Sequence, residues 1–251
     1  MPPLLRSTLP NAGPPLRFSA SGPNPRYARL PRPRRHHRGR PHALGPAGRA
    51  GRLHGEPAVR VWRPHRQIAF GRRDTAADGY DRAREIAEAQ GFPPVEREVG
   101  GRAVAYTGST LAFARVTPVE DPRSGLQDRY DAATEDLLAA LEDLGADARE
   151  GEPQGSFCPG THSVQADCGE RAGKLAGLAQ RVRADAAVVA GVLVVRDRAE
   201  IAAVLDPVYD ALGVAFDPET VGSVADAGGE SDPSSAVERA RRRWPAETRI
   251  E

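Results

Sequence analysis

The stretch that decides the fold is Gly173-Lys174-Leu175-Ala176-Gly177-Leu178-Ala179-Gln180-Arg181-Val182, followed after Arg183, Ala184 and Asp185 by Ala186-Ala187-Val188-Val189-Ala190-Gly191-Val192-Leu193-Val194-Val195. Two runs of this length, the second rich in valine, separated by a short turn, predict strands over 174–182 and 186–195. Helical patterns follow at once: Arg198 to Leu205, then Pro207 to Leu212, with Pro207 as a first-turn proline. No strand–helix unit repeats along the chain, so the expected class is α+β, a central mixed sheet flanked by helices, and not a doubly wound sheet.

Upstream, Ala58 to Trp62 and Gln67 to Phe70 read as short strands divided by Arg63-Pro64-His65. A helix is expected next, capped by Asp74 or Thr75, with Ile86 and Ala87 on its apolar stripe and Gly91 as its stop. Val95 to Glu98, Arg102 to Tyr106 and Leu111 to Val116 read as strands around a Gly100-Gly101 turn. The strongest helix runs from about Leu126 to Leu144: Leu126, Tyr130, Ala133, Leu137, Leu141 and Leu144 share one face, and Gly145 ends it. A loop with Gly155, Pro159 and Gly160 precedes the strand pair. Residues 226–233 read as linker, and Ser235 to Trp244 as a last short helix.

The charge is divided unevenly. Residues 1–57 hold eleven arginines and one acid, Glu56, whereas residues 58–251 hold 24 basic and 33 acidic side chains, a net of −9. Prolines and glycines every few residues prevent lasting helix or strand in 1–57, and the composition is that of a disordered arm. Its arginines would suit an anionic surface or nucleic acid. Its prolines break the amphipathic helix of an import presequence. The favoured reading is an inert or mis-started stretch of a GC-rich gene, so nucleic acid is not an expected partner. The expected organisation is an arm over 1–57, a catalytic-type domain over 58–226, and a linker with a short helix over 227–251.

Several classes drop out. A spanning helix needs about 20 apolar residues, and the longest run here, Ala184 to Val195, is interrupted by Asp185 and Gly191, so no membrane partner and a cytoplasmic location are expected. Two cysteines make no disulfide framework, and no Cys/His group has metal-ligand spacing. Cys158 and Cys168 are ten residues apart, and a disulfide between them would silence either thiol.

Of 35 basic residues, 34 are arginine and one is lysine, Lys174. Arginine replaces lysine readily except where chemistry forbids it, and a lysine among small apolar neighbours loses part of its basicity and serves as acid, base or electrostatic stabiliser. The Gly100-Gly101 pair offers close backbone approach and N–H donors, although a hairpin turn is its commoner use. Ser156-Phe157-Cys158-Pro159-Gly160 also stands out, and a free cysteine there has a buried, unreactive thiol as one reading. His65 and His162 read as loop histidines, and Asp206, Asp217 and Asp226 as turn and cap residues.

Arg97-x-x-Gly100-Gly101-Arg102-Ala103-Val104, then Ser156-Phe157-Cys158-Pro159-Gly160, then Gly173-Lys174-Leu175-Ala176-Gly177-Leu178-Ala179-Gln180-Arg181, in that order, resemble the lipoate–protein ligase and lipoyl-transferase superfamily related to biotin ligases. Trp62 to Asp74 resembles that family's first block, and the resemblance covers about residues 58–225. It implies an enzyme that attaches an octanoyl or lipoyl group to one lysine of a lipoyl domain or glycine-cleavage H protein. It makes Lys174 the active-site lysine that meets the acyl carbonyl, with Arg97, Gly100, Gly101, Arg102, Ala103, Gly177 and Ala179 around the acyl pocket. Cys158 falls where the cysteine-dependent branch places its nucleophile.

Three departures stand out. The family's Asp after the cysteine block falls near Ser163, the loop Ala105-Tyr106-Thr107-Gly108 lacks the usual His-Asp, and the arm replaces an acidic first helix. Two mechanisms remain open. A transferase would run through Cys158 with no cofactor and an octanoyl or lipoyl donor; a ligase would use ATP and Mg²⁺ to make a lipoyl-adenylate. A non-catalytic acyl- or cofactor-binding module is the alternative from another class.

Overall fold

The computed structural model describes residues 57–97 and 101–243. The features expected over 1–56, Glu98 to Gly100 and Trp244 onward lie outside the described residues. Nine strands and five helices follow one another as β1 (Ala58–Trp62), β2 (Gln67–Phe70), α1 (Arg72–Thr75), α2 (Tyr80–Ala89), β3 (Pro94–Glu96), β4 (Val104–Tyr106), β5 (Leu111–Pro118), α3 (Leu126–Asp143), β6 (Ala148–Glu150), β7 (Ser163–Asp167), β8 (Ala172–Val182), β9 (Ala186–Leu193), α4 (Arg198–Ala211) and α5 (Pro233–Arg243).

The architecture is α+β, and its strands fall into two sheets. A six-stranded antiparallel sheet has the order β1-β5-β9-β8-β7-β6, and a three-stranded sheet has the order β3-β2-β4. The mixed character resides in the small sheet, where β2 runs parallel to β3 and antiparallel to β4. In the large sheet β5 and β9 pair along their whole length, from Leu111↔Leu193 to Pro118↔Ala186. Gly191 is required there: a Cβ at that position would lie 2.2 Å from the Phe113 ring.

Two apolar clusters form the core, and the one under the small sheet also takes in Ala112 of β5 and Val192 of β9. The small sheet packs Ile68, Phe70 and Val104 against Ala83 and Ala87 of α2 and Ile201, Val204, Leu205, Val208 and Tyr209 of α4. The large sheet packs Val61, Phe113, Leu175 and Leu193 against Leu137 and Leu141 of α3 and Ala236 and Ala240 of α5. Burial of each valine, leucine, isoleucine or phenylalanine among them stabilises the fold by about 1.5–3 kcal/mol.

The expected helical pair after β9 is one continuous helix, with Pro207 inside it. An interior proline costs about 3 kcal/mol through its lost N–H and ring clash. The stripe Ile201, Val204, Leu205, Val208 and Tyr209 is almost wholly buried, and that burial outweighs the cost. Asp74 does not cap the long helix. It sits in the single turn α1, where its carboxylate accepts from the Gly71 N–H at 2.9 Å and from Arg102 at 3.3 Å; α2 begins at Tyr80 after Gly79. Two strands were unexpected. β6 and β7 occupy sequence read as loop, and β7 joins β8 through a register shift between Val164 and Gln165.

Candidate active site

Three segments from different parts of the fold converge where the two sheets meet. The first is the end of β3 and the turn into β4, carrying Arg97, Gly101 and Arg102. The second is the loop from Gly151 to His162, carrying Cys158. The third is β8, carrying Lys174.

Cys158 has the left-handed backbone angle φ 44°, rare for a residue with a side chain. Its conformation is fixed from both sides. The Cys158 N–H donates to the Tyr209 hydroxyl at 2.6 Å, and that hydroxyl donates to the Ala103 carbonyl at 2.9 Å. The Cys158 carbonyl accepts from Lys174 Nζ at 2.9 Å. Two donors face the sulfur: the Arg102 N–H at 3.3 Å and Arg97 Nη2 at 3.6 Å. Arg97 also donates to the Arg102 carbonyl at 2.5 Å, so one guanidinium ties the turn to the thiol.

Gly101, with φ 96°, is pressed against this group. A Cβ there would stand 2.8 Å from Cys158 Sγ and 2.9 Å from Arg97 Nη2. Its carbonyl in turn approaches Gly71 so closely that a Cβ on Gly71 would lie 2.0 Å from it. Backbone therefore packs on backbone beside the sulfur, which explains glycine at both places.

Lys174 is fully buried. Its ammonium donates to the carbonyls of Phe157 (3.0 Å) and Cys158, and to both oxygens of Glu152 at 3.2 and 3.3 Å. The ring of Phe157 lies 5.2 Å from Nζ. Burial draws the Lys174 pKa below its ordinary value, against the opposing pull of Glu152 and Cys158. Small residues give the amine its place: a Cβ on Gly177 would come within 3.3 Å of Lys174 Cε.

Glu152 is the residue that the sequence reading missed. Its carboxylate accepts from the hydroxyls of Ser156 and Ser163, from the Gly160 N–H at 3.1 Å, and from Lys174. Partial burial raises its pKa, and the two hydroxyl hydrogen bonds, the Lys174 charge and the Gly160 N–H outweigh that, leaving it below the ordinary carboxylate value. A signal was present: Glu152 is the one acid between Gly151 and His162, and a lysine inside a strand of small residues requires a counter-charge.

Of the residues singled out beforehand, Cys158, Lys174, Arg97, Gly101 and Arg102 form one hydrogen-bonded or contacting group. Ala103 contributes a carbonyl to Tyr209, and Gly177 flanks the amine. Ala179 lies two residues further along the same face of β8, opposite Ala190 on β9. Gly100 lies outside the described residues. Ser163, at the position noted for its missing Asp, serves as a donor to Glu152. Cys158 and Cys168 are both free thiols. His162 stacks on Tyr130 with ring centroids 3.6 Å apart, away from Cys158 Sγ and Lys174 Nζ in its contacts. Among the described residues, no group of three or more His, Cys, Asp or Glu stands together as a metal site, and no helix is long and apolar enough to cross a membrane.

A family model described as the lipoyl protein ligase A/B catalytic domain matches residues 49–240, and the chain belongs to that family. Among curated proteins, octanoyl-GcvH:protein N-octanoyltransferase of Exiguobacterium sibiricum is 32% identical over 136 residues, 52% of this chain and 46% of that protein. The chain thus spans about half the length of the curated relatives it matches. In fold it is similar to a crystal structure of lipoate-protein ligase A bound with ATP, at 21% identity and TM-score 0.56 over 78% of this chain and 77% of that one. It is also similar to a structure from Thermoplasma acidophilum, described as a bipartite lipoate protein ligase and its E2 lipoyl domain. There the identity is 19% and the TM-score 0.51, over 78% of this chain and 75% of that one.

Proposed function

We propose that this chain is a cysteine-dependent acyltransferase that moves an octanoyl or lipoyl group onto a lysine of a lipoyl domain or H-protein-like carrier. The observation that carries the reading is the setting of Cys158. Its sulfur is aimed at the Gly101–Arg102 turn, beneath the Arg102 N–H and the Arg97 guanidinium. A thiol with only a packing role would not need a left-handed backbone held by Tyr209 on one side and Lys174 on the other. The octanoyl transfer for which the Exiguobacterium sibiricum relative is named supports the same reading.

The chemistry balances without nucleotide or redox partner. The Cys158 thiolate attacks the acyl carbonyl carbon of the donor. A sulfur–carbon bond forms, the donor's carbon–nitrogen bond breaks, and the departing amine leaves with a proton. In the second half the acceptor lysine's amine attacks the thioester. The carbon–sulfur bond breaks, the sulfur leaves as thiolate, and the surplus proton on nitrogen is passed on. The handling of both protons is assigned to Lys174, whose Nζ reaches the Cys158 carbonyl at 2.9 Å and whose pKa burial draws below its ordinary value. The Arg102 N–H and Arg97 face the sulfur and stabilise its negative charge before attack and again when it departs as thiolate.

The test is transfer between two carriers in solution. An octanoylated H protein and an unmodified lipoyl domain are mixed with the chain, with no nucleotide present. Transfer that disappears in Cys158→Ser supports the reading. Transfer that appears only with free lipoate and ATP would replace it with the ligase mechanism.

A further inference from the structure

Lys174 does not reach the Cys158 sulfur through any of its own hydrogen bonds. Its donors go to two backbone carbonyls of the cysteine loop and to Glu152. Glu152 is in turn held by three further donors, each from the same loop or its edge: Ser156, Gly160 and Ser163. The carboxylate therefore sits at the centre of the loop that carries Cys158, and the lysine crosses from β8 to meet it.

We propose that Glu152 is a positioning residue of the acyl-transfer reaction, whose carboxylate seats the Lys174 ammonium against the backbone of Cys158 and ties the cysteine loop to β8. The inference rests on the transferase reading for its effect on rate, and on geometry alone for its effect on Lys174.

The argument is one of satisfaction. An ammonium with no exposed surface is costly unless each of its donors finds an acceptor. Two neutral carbonyls satisfy donors without balancing charge, and Glu152 supplies the balance. Its own oxygens are saturated by hydroxyl and N–H donors, so it does not swing away to solvent. Ser163, five residues past the cysteine, spends its hydroxyl on Glu152. The carboxylate of this site thus comes from before the cysteine, and the residue after it acts as its anchor.

Because Lys174 is the one lysine of the chain, lysine labelled with carbon-13 at Cε reports on this side chain alone, without assignment. The ionisable groups acting on it are Glu152 and Cys158. The full chain is titrated by NMR as wild type, Glu152→Gln and Glu152→Asp, and the rate of Cys158 acylation by an octanoyl thioester is followed over the same pH range. In Glu152→Gln the Lys174 midpoint should fall by about one pH unit or more, since an opposite charge at this distance has been removed. The alkaline limb of the acylation profile should fall with it. Glu152→Asp should lie between the two.

An unmoved midpoint in Glu152→Gln overturns the proposal, as does a shifted midpoint with an unmoved alkaline limb. If Glu152→Gln does not fold, Glu152→Asp decides by the same criterion. A wild-type chain that never acylates, yet shows the midpoint shift, would sink the transferase reading and leave the Glu152–Lys174 relationship standing.

Discussion

The Cys158 carbonyl accepts a hydrogen bond from Lys174 Nζ at 2.9 Å, while the Cys158 N–H donates to the Tyr209 hydroxyl at 2.6 Å. The lysine holds the backbone of the cysteine rather than its sulfur. The peptide groups on both sides of an unfavourable φ are clamped, one by β8 and one by α4. The sulfur is left to the donors of Arg97 and Arg102. This division of labour makes several residues testable one at a time.

Lys174→Ala should abolish acyl transfer and also destabilise the fold by about 2 kcal/mol or more, because Glu152 and two carbonyls lose their donor together. Lys174→Arg should not restore activity. A guanidinium keeps its charge at all accessible pH values, and its planar fork does not reproduce the contacts of an ammonium with two carbonyls and a carboxylate. Chemical denaturation and carrier-to-carrier transfer assays check the two halves. Retained transfer in Lys174→Ala would sink the site assignment.

Gly101→Ala places a methyl group 2.8 Å from Cys158 Sγ at φ 96°. Either the sulfur and guanidinium move or the turn does. A loss of about tenfold in Cys158 acylation rate is expected, equivalent to about 1.4 kcal/mol. Gly177→Ala, whose Cβ would meet only the flexible end of Lys174 at 3.3 Å, should cost less. Pre-steady-state acylation of the two variants gives the comparison.

Tyr209→Phe removes the hydroxyl that bridges the Cys158 N–H to the Ala103 carbonyl. Both partners are left buried and unpaired, so stability should fall by about 1–3 kcal/mol. The urea midpoint reads this directly. Iodoacetamide trapping of Cys158 should also become less uniform in rate as the φ constraint relaxes.

Glu152 has its folded pKa below the ordinary value of 4.5. The sign follows: a depressed carboxyl pKa contributes stability that is present in full above about pH 4.5 and is lost as pH falls through the lower folded value. Glu152→Gln should therefore be less stable at neutral pH, and the gap from wild type should close as pH falls through that range. Thermal unfolding across an acid pH series checks it, and a gap that does not change with pH would contradict it.

Strands with a strong local signal were legible. β1 and β2 have their expected bounds because a proline-broken turn separates two apolar runs, and α3 follows from its apolar face and Gly145. β7, Ser163–Asp167, was not legible. Its short polar-mixed sequence pairs with β8 through a register shift, and that pairing runs from Asp167↔Ala172 out to Ser163↔Gly177, beyond the reach of a local pattern. Pro207 misled for a similar reason: the stripe that keeps α4 whole is buried by the small sheet, a tertiary effect absent from local propensity. At the site, Lys174 was visible as the one lysine of an arginine-rich chain, whereas the roles expected of Cys158, Arg97 and Gly101 came from the resemblance. Glu152 and Tyr209 were not visible, because each acts through hydrogen bonds to a distant backbone that sequence spacing does not record.

The central claim is that Cys158 becomes acylated, and intact mass tests it most directly. The chain is incubated with octanoylated H protein and no ATP, as wild type and as Cys158→Ser. The account predicts one octanoyl group on the wild type, released by hydroxylamine and absent from the mutant. No adduct on the wild type, with acyl transfer appearing only when lipoate and ATP are supplied, would contradict it.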